Sequence, residues 1–266
     1  MIVTSRVSRF VLIFVGLGGA LPHPAWAGAF LLEPGHWQVI STYRFSVSSA
    51  KYDANGLRVA EKRYGKSEAA SLIEYGFDRD LTLLLTPSLR SVRSQGPPDT
   101  TGVNIGALDL GARWRIYREG PQIVSFQALT RVPARSDPFF AGENSAKTEL
   151  RLGYARTDLL FRGRDAFLDA GLVWAKRAEP WRDELRADLT LGWQRWPGRL
   201  VLMQWFYSAY PDAPGENRMP QQLKIEASTV SSLGKGWSLQ VGSFVSRGGV
   251  ATRYERGSLV GLWRKF

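Results

Sequence analysis

The sequence predicts an all-β fold, an antiparallel transmembrane β-barrel of about twelve strands with short periplasmic turns and long extracellular loops. Three observations predict it: an export signal in residues 1–27, period-two alternation of apolar and polar residues afterwards, and an apolar last segment, GSLVGLWRKF, ending on Phe266. A chain that ends inside an apolar strand needs a neighbouring strand for its backbone. In a closed barrel the first strand is that neighbour.

The export signal has three regions. Residues 1–10 contain Arg6 and Arg9 and no acid, residues 11–21 are apolar, and Ala25-Trp26-Ala27 fits the small-x-small cleavage rule. We therefore expect cleavage after Ala27, which leaves a barrel domain over residues 28–266. The alternative is an uncleaved N-terminal anchor, for which the apolar region is too short to span a bilayer.

Composition limits the function classes. The chain has no cysteine, which excludes a disulfide framework and thiol chemistry. Loss of the two signal-peptide arginines lowers the formal net charge from +11 to +9. A basic chain could bind nucleic acid or an anionic surface, but export makes nucleic acid an unexpected partner. We expect outer-membrane lipid and the phosphates of lipopolysaccharide as the partners, in the outer membrane of a Gram-negative bacterium.

The strands follow from the alternation. In residues 36–48, Trp37 and Tyr43 fall on one face, Gln38 and Arg44 on the other. The same period predicts strands at residues 66–77, 81–91, 103–117, 122–132, 148–157, 166–175, 184–195, 200–210, 221–231, 237–246 and 257–266. Turn-forming or polar residues predict the long loops at residues 49–65, 93–102, 133–147, 176–183, 211–220 and 247–256.

Two strands are irregular, and one other fold competes. Pro87 falls on an outward face and predicts a bulge, while residues 200–210 are apolar on both faces, with Gln204 assigned inward. The competing fold is a soluble β-sandwich or lipocalin-like barrel, which would turn its apolar face inward. The charge-rich polar face and the tryptophans near strand ends favour the membrane barrel.

The polar face is the candidate pore lining. Its basic members are Arg44, Arg90, Arg113, Arg115, Arg131, Arg151, Arg186 and Lys224. Its acidic members are Glu68, Glu74, Asp109, Glu149, Asp169, Glu184, Asp188 and Glu226. The two sets balance, so we expect the excess positive charge in loops and ends. We expect a ladder of ion pairs among Arg113, Arg115, Arg151, Arg186, Asp109, Glu149 and Asp188, which either braces a plug or lines a wet pore.

Catalysis is not expected. After cleavage one histidine remains, His36, at the start of the first strand, far from where an outer-membrane lipase needs one. Glu184 and Asp188 could form an acid pair, but Arg186 between them favours ion pairing. No His, Cys or Asp spacing indicates a metal site, and no cofactor is expected.

Several segments resemble one family, the XagA-like outer-membrane proteins. They are the segments GAF and EPGHWQVI at residues 28–40, EYG with LTL at 74–83, VSFQA at 124–128, AFLDA at 166–170, DELRADL at 183–189, and ERG with LWRKF at 255–266. The resemblance implies an outer-membrane barrel linked to exopolysaccharide and biofilm formation, similar to transporter barrels of the phenol-degradation type. It implies transport of a small solute or an exported polysaccharide, with exopolysaccharide-synthesis components as partners.

The final residue resembles an assembly signal of outer-membrane barrels. Phe266 resembles the terminal aromatic that the barrel-assembly machinery reads, although Arg264 stands where such chains usually carry a second aromatic and Trp263 is one step away. This departure leaves the register of the last strand open. Two alternatives to a channel also stay open: a structural or adhesive barrel with a plugged lumen, and an outer-membrane hydrolase.

Overall fold

The computed structural model describes residues 28–94, 100–132, 146–178, 183–211 and 219–266. The expected signal peptide and most of the expected loops at 133–147 and 211–220 lie outside these residues. No helix in the described ranges is long and apolar enough to cross a membrane. The described chain forms twelve strands: β1 Trp37–Tyr52, β2 Arg58–Gly76, β3 Leu81–Ser94, β4 Thr100–Glu119, β5 Gln122–Val132, β6 Lys147–Phe161, β7 Arg164–Arg177, β8 Glu184–Trp196, β9 Arg199–Ala209, β10 Gln221–Gly234, β11 Trp237–Val250 and β12 Thr252–Lys265.

These strands form one closed antiparallel barrel in which each strand pairs with its sequence neighbours. Closure joins β1 to β12, with Ile40 opposite Trp263 and Arg44 opposite Leu259. The backbone N–H of Phe266 donates to the carbonyl of Trp37 at 3.0 Å, so pairing continues to the last residue. The predicted fold class is confirmed, and closure removes both exposed strand edges.

Burial is inverted relative to a soluble barrel. Large apolar side chains such as Tyr43, Leu83 and Leu172 are exposed on the outer face. Polar and charged side chains such as Gln38 and Glu74 are buried in the interior. Exposed apolar surface of this extent is unfavourable in water and favourable in lipid, so the soluble alternative is wrong.

An aromatic girdle surrounds the outer face near the end that carries the short turns. Its ring pairs there are Trp37 with Tyr75 at 4.5 Å, Trp114 with Phe126 at 6.2 Å and Phe161 with Trp193 at 5.0 Å between centroids. Amphipathic aromatic rings prefer the boundary between hydrocarbon and water. The girdle therefore marks one membrane boundary at this end of the barrel.

The short turns use two-residue connections at several places. Arg162 and Gly163 have φ of 52° and 71°, and Lys235 and Gly236 have φ of 49° and 77°. Two successive residues with positive φ form the type I′ hairpin, whose twist matches that of paired strands. The turns at the two hairpins are shorter than expected because pairing continues through Phe161 and Gly234.

Two expected long loops are mostly strand, which corrects the sequence-based bounds. Residues 49–65 were expected as a loop, but β1 continues to Tyr52 and β2 begins at Arg58. Residues 247–256 contain only a single connecting residue, Ala251, between β11 and β12. Beyond the membrane both strand faces meet water, so the apolar alternation stops while backbone pairing continues.

Strand pairing and burial show the conformation of the three strands whose pattern is irregular, β3, β9 and β12. The β3–β4 register shifts between Pro87 and Leu89, so the predicted bulge is present. In β9, Leu202 is buried and Gln204 lines an interior cavity, which confirms the predicted phase. In β12, Trp263 is buried inside, while Arg264 points outward and contacts the ring of Phe266. The open register of the last strand is thereby settled.

Candidate functional site

The candidate site is the barrel interior, where fifteen of the sixteen predicted inner-face residues lie. Glu74, Arg113 and Asp169 are among those that are buried. Lining positions of interior cavities are occupied by Arg44, Glu68, Arg90, Arg131, Glu184, Arg186, Asp188, Lys224 and Glu226. Asp109, Glu149 and Arg151 contact these residues in ion pairs. That these side chains line a conducting pore stays a prediction.

A network of ion pairs connects neighbouring strands across the inner face. Arg113 Nη1 lies 3.0 Å from Glu74 Oε1, and Arg131 Nε lies 2.7 Å from Asp109 Oδ1. Other pairs are Arg186 with Glu149 at 2.6 Å, Arg177 with Glu184 at 2.6 Å, Arg90 with Glu68 at 3.0 Å, and Arg151 with Asp188 and, at 3.4 Å, Asp169. Buried charges must be paired, and these side chains pair with one another.

The predicted ladder needs one correction. Arg115 lies at the short-turn rim, where its Nη1 is 3.6 Å from Asp80 in the turn between β2 and β3. The β4–β5 register shifts between Arg115 and Tyr117, and the Arg115 N–H donates to the Asp80 carbonyl at 2.8 Å. Asp80 is 70% exposed whereas Arg115 is 17% exposed, so the pair lies at the boundary between rim and solvent and stands apart from the interior network.

Two glycines on the inner face leave space for large side chains of neighbouring strands. A Cβ at Gly171 would collide with the guanidinium of Arg151, which crosses this position to reach its carboxylates. A Cβ at Gly192 would collide with the ring of Phe167. Each glycine therefore makes space on one strand for a side chain from an adjacent strand.

The N-terminal segment, defined as residues 28–36, enters the barrel at the short-turn end. Ala29 is 0% exposed, and its N–H donates to Asp169 Oδ2 at 2.6 Å. Arg113 Nη1 donates to the Phe30 carbonyl at 2.7 Å, and the Leu32 N–H donates to Thr82 Oγ1 at 3.2 Å. Three strand side chains thus hold a segment that no sequence pattern placed in the lumen.

An apolar cluster in the lumen supports this segment. It consists of Ile40, Phe167, Leu202, Val230 and Trp263, all buried, with Phe30 packed against them. The Phe30 and Phe167 rings meet edge to face at 6.0 Å between centroids. The cluster narrows the short-turn half of the lumen, and the N-terminal segment occupies part of what remains.

Two cavities lie in series along the lumen. The long-loop chamber, of about 540 Å³, is lined mainly by charged side chains, and the short-turn chamber, of about 310 Å³, has the apolar cluster as part of its wall. Three residues line both chambers, namely Arg44, Glu68 and Glu226. The two chambers therefore meet at these side chains.

An ion pair joins two non-adjacent strands at this junction. Arg44 on β1 reaches Glu226 on β10, with Nη2 to Oε2 at 3.3 Å, although β11 and β12 separate the two strands. Glu226 is 2% exposed, and its Oε1 is buried without a hydrogen-bond partner in the described residues. We call this Arg44–Glu226 ion pair the cross-bar, because it lies where the two chambers meet.

The long-loop chamber carries more cations than the sequence indicated. Lys66, Lys147 and Arg177 line it in addition to the predicted residues. Lys147 and Arg177 fall in segments that were expected as loops, and the extension of β6 and β7 brings them into the barrel. The lining has eight basic side chains, Arg44, Lys66, Arg90, Arg131, Lys147, Arg177, Arg186 and Lys224, against four acidic ones, Glu68, Glu184, Asp188 and Glu226.

The two candidate catalytic groups, His36 and the Glu184–Asp188 pair, lie apart. His36 is exposed at the short-turn rim, with Nδ1 3.3 Å from the Pro34 carbonyl. Glu184 and Asp188 each bind a different arginine, Arg177 and Arg151. No group of metal-ligating side chains occurs in the described part of the chain. In the described residues the Glu184 and Asp188 carboxylates are therefore both engaged in ion pairs.

Comparison with known proteins shows the fold. No protein-family model and no curated protein sequence matches the chain. The COG4313 outer membrane channel from Pseudomonas putida F1 is 16% identical with a TM-score of 0.67, covering 88% of this chain and 97% of its own. The beta domain of the Bordetella autotransporter BrkA is 11% identical with a TM-score of 0.53, covering 86% and 100%.

A porin is also similar. The NanC porin is 9% identical with a TM-score of 0.50, covering 86% of this chain and 100% of its own. At these identities the similarity shows the fold, a closed barrel shared with outer-membrane channels, porins and autotransporters. The XagA-like assignment stays a prediction.

Proposed function

We propose that this chain is an outer-membrane channel that lets small solutes cross passively. The observation that carries the proposal is the pair of chambers in series, joined at the Arg44–Glu226 cross-bar. The charged walls of the long-loop chamber hold water, and polar side chains such as Thr190, Gln204 and Gln240 line the short-turn chamber beside the apolar cluster. Water-filled chambers in series make a path for hydrophilic solutes. In the proposed orientation in the outer membrane, the short turns lie in the periplasm and the long-loop chamber opens toward the exterior.

A small solute fits this lumen better than an exported polysaccharide. The N-terminal segment and the apolar cluster occupy the short-turn half together, which leaves a chamber of about 310 Å³ there. A polymer chain would have to displace the segment along its whole path. A compact solute needs only the cross-bar to open.

The competing function is a structural barrel with a plugged lumen. The observation that favours it is the N-terminal segment, which is held by Asp169, Arg113 and Thr82. A hydrolase is less well supported, since the carboxylates of the inner face are paired with cations.

Swelling of liposomes that contain the purified protein tests the channel. We expect swelling in small sugars and slower swelling as solute size increases. The matched control is the same protein denatured before reconstitution. Swelling no faster than that of protein-free liposomes, with the barrel folded, would support the structural alternative.

The remaining assignments are part of the same proposal. Signal cleavage after Ala27 would free the N-terminal segment to enter the barrel. The family resemblance supports membership in the XagA-like proteins, with a role in exopolysaccharide and biofilm formation and exopolysaccharide-synthesis components as partners. Lipopolysaccharide would contact the outer face, and the assembly machinery would read Phe266. Mass spectrometry of the membrane-extracted protein tests the cleavage: a mature chain that begins at Gly28 is expected.

A further inference from the structure

We propose that the long-loop chamber is a binding site for small organic polyanions that carry several carboxylate or phosphate groups. This inference rests on the proposed channel and names the class of solute it would select. The chamber volume of about 540 Å³ lies within the usual size of ligand sites, about 300–1,000 Å³. Its lining has twice as many basic as acidic side chains.

A shared carboxylate leaves positive charge unneutralised at one place on the chamber wall. Glu149 lies 3.1 Å from Lys147 Nζ and 2.6 Å from Arg186 Nη2. One carboxylate between two cations leaves a net positive charge at this group, which lies on β6 and β8.

Lys224 on β10 supplies a second positive position. Its Nζ lies 5.1 Å from the Phe244 ring centroid, and no carboxylate of the described chain is within ion-pair distance. The two positions lie on β6–β8 and on β10, at separate places on the barrel wall. A ligand with several anionic groups would contact both of them, whereas a monoanion would contact one.

Arg177 and Arg186 both line the long-loop chamber. Their Nε atoms are buried and have no hydrogen-bond partner in the described residues, which is unfavourable for the empty barrel. A ligand that draws either guanidinium toward the chamber would let these donors find an acceptor.

The probe for this site is citrate, measured by calorimetry with the detergent-solubilised full-length barrel. Citrate should bind, acetate should bind at least about tenfold more weakly, and glucose should show no heat, because each charged hydrogen bond contributes about a factor of ten. Added salt should weaken citrate binding by screening. Citrate binding no stronger than acetate binding would overturn the proposal.

Two variants locate the site. Lys224→Gln and Lys147→Gln should each weaken citrate binding about tenfold, since each removes one cation from the chamber. The matched control is Arg195→Gln, which removes one positive charge from an exposed position beside Trp196. Equal affinities for the control and both chamber variants, all folded by circular dichroism, would place citrate elsewhere and overturn the proposal.

The same samples separate this proposal from the proposed function. Citrate binding by a barrel that conducts no ions would support the site and contradict the channel. Ion conductance without citrate binding would support the channel and contradict the site. In a conducting barrel, citrate should reduce the current, and Lys224→Gln should raise the half-blocking concentration about tenfold.

Discussion

The backbone N–H of Ala29 donates to Asp169 Oδ2 at 2.6 Å, which joins the N-terminal segment to strand β7, 140 residues further along the chain. The site is tight, because a Cβ on Gly28 would collide with the Asp169 carboxylate. Gly28 also has a φ of 119°, which side-chain-bearing residues rarely adopt. One buried carboxylate thus fixes the segment that narrows the lumen.

Loss of this carboxylate should open the lumen. Asp169→Asn keeps the shape of the side chain but removes the charge that binds the Ala29 N–H and the Arg151 guanidinium. We expect a larger single-channel conductance than in the wild-type protein. Asp165→Asn, at an exposed position on the same strand, is the matched control and should conduct like the wild type. Equal conductance for all three would show that the segment does not restrict the path.

Removal of Arg113 should strongly destabilise the barrel. Arg113→Ala leaves Glu74 buried without its cation, and breaking a buried pair in this way costs about 3–5 kcal/mol. Arg115→Ala leaves only the exposed carboxylate of Asp80 without its cation, so no charge stays buried and the cost should be clearly smaller. Urea unfolding of both variants in detergent or lipid measures the difference. Similar free energies of unfolding would mean that Glu74 is hydrated.

A charged substitution on the outer face should lower the free energy of unfolding more when it lies deeper in the membrane. Leu172 is 65% exposed near the middle of β7, and Leu160 is 74% exposed near the short-turn end of β6. Leu172→Arg should lower the free energy of unfolding in lipid by about 2–4 kcal/mol, and Leu160→Arg by about 0–1 kcal/mol. If both substitutions are neutral, the outer face does not meet hydrocarbon.

The backbone and the side chain of Phe266 have roles that can be tested separately. Phe266→Ala keeps the N–H that bonds to the Trp37 carbonyl, whereas deletion of Phe266 removes both the bond and the ring. If the assembly machinery reads the ring, both changes should reduce the yield of folded barrel in outer membranes. Phe77→Ala, at an exposed turn position, is the control and should leave the yield unchanged. Normal yield for Phe266→Ala would assign the effect to the backbone alone.

The strands could be predicted because lipid and lumen impose opposite polarity on successive residues. This rule placed Trp37 outward, Gln38 inward and, in an otherwise apolar strand, Gln204 inward. It failed above the membrane, where β1 continues to Tyr52 and β7 to Arg177 with water on both faces. Sequence-based bounds therefore ended the strands too early and left Arg177 in a loop.

The contents of the lumen were harder to predict. The N-terminal segment has no alternation, and its partners Asp169 and Arg113 are distant in sequence, so no local signal links them. The cross-bar between Arg44 and Glu226 depends on closure of the barrel, which places β1 only three strands from β10 although the two are distant in sequence. Period two indicates which face a side chain occupies, but only closure determines its partner.

Planar-bilayer recording tests the central claim, that the two chambers form a path through the barrel. Purified wild-type protein should produce stepwise ionic currents, and Asp169→Asn should produce larger steps at the same voltage and salt concentration. A folded wild-type barrel and a folded Asp169→Asn barrel that both leave the bilayer current at its protein-free level would contradict the claim.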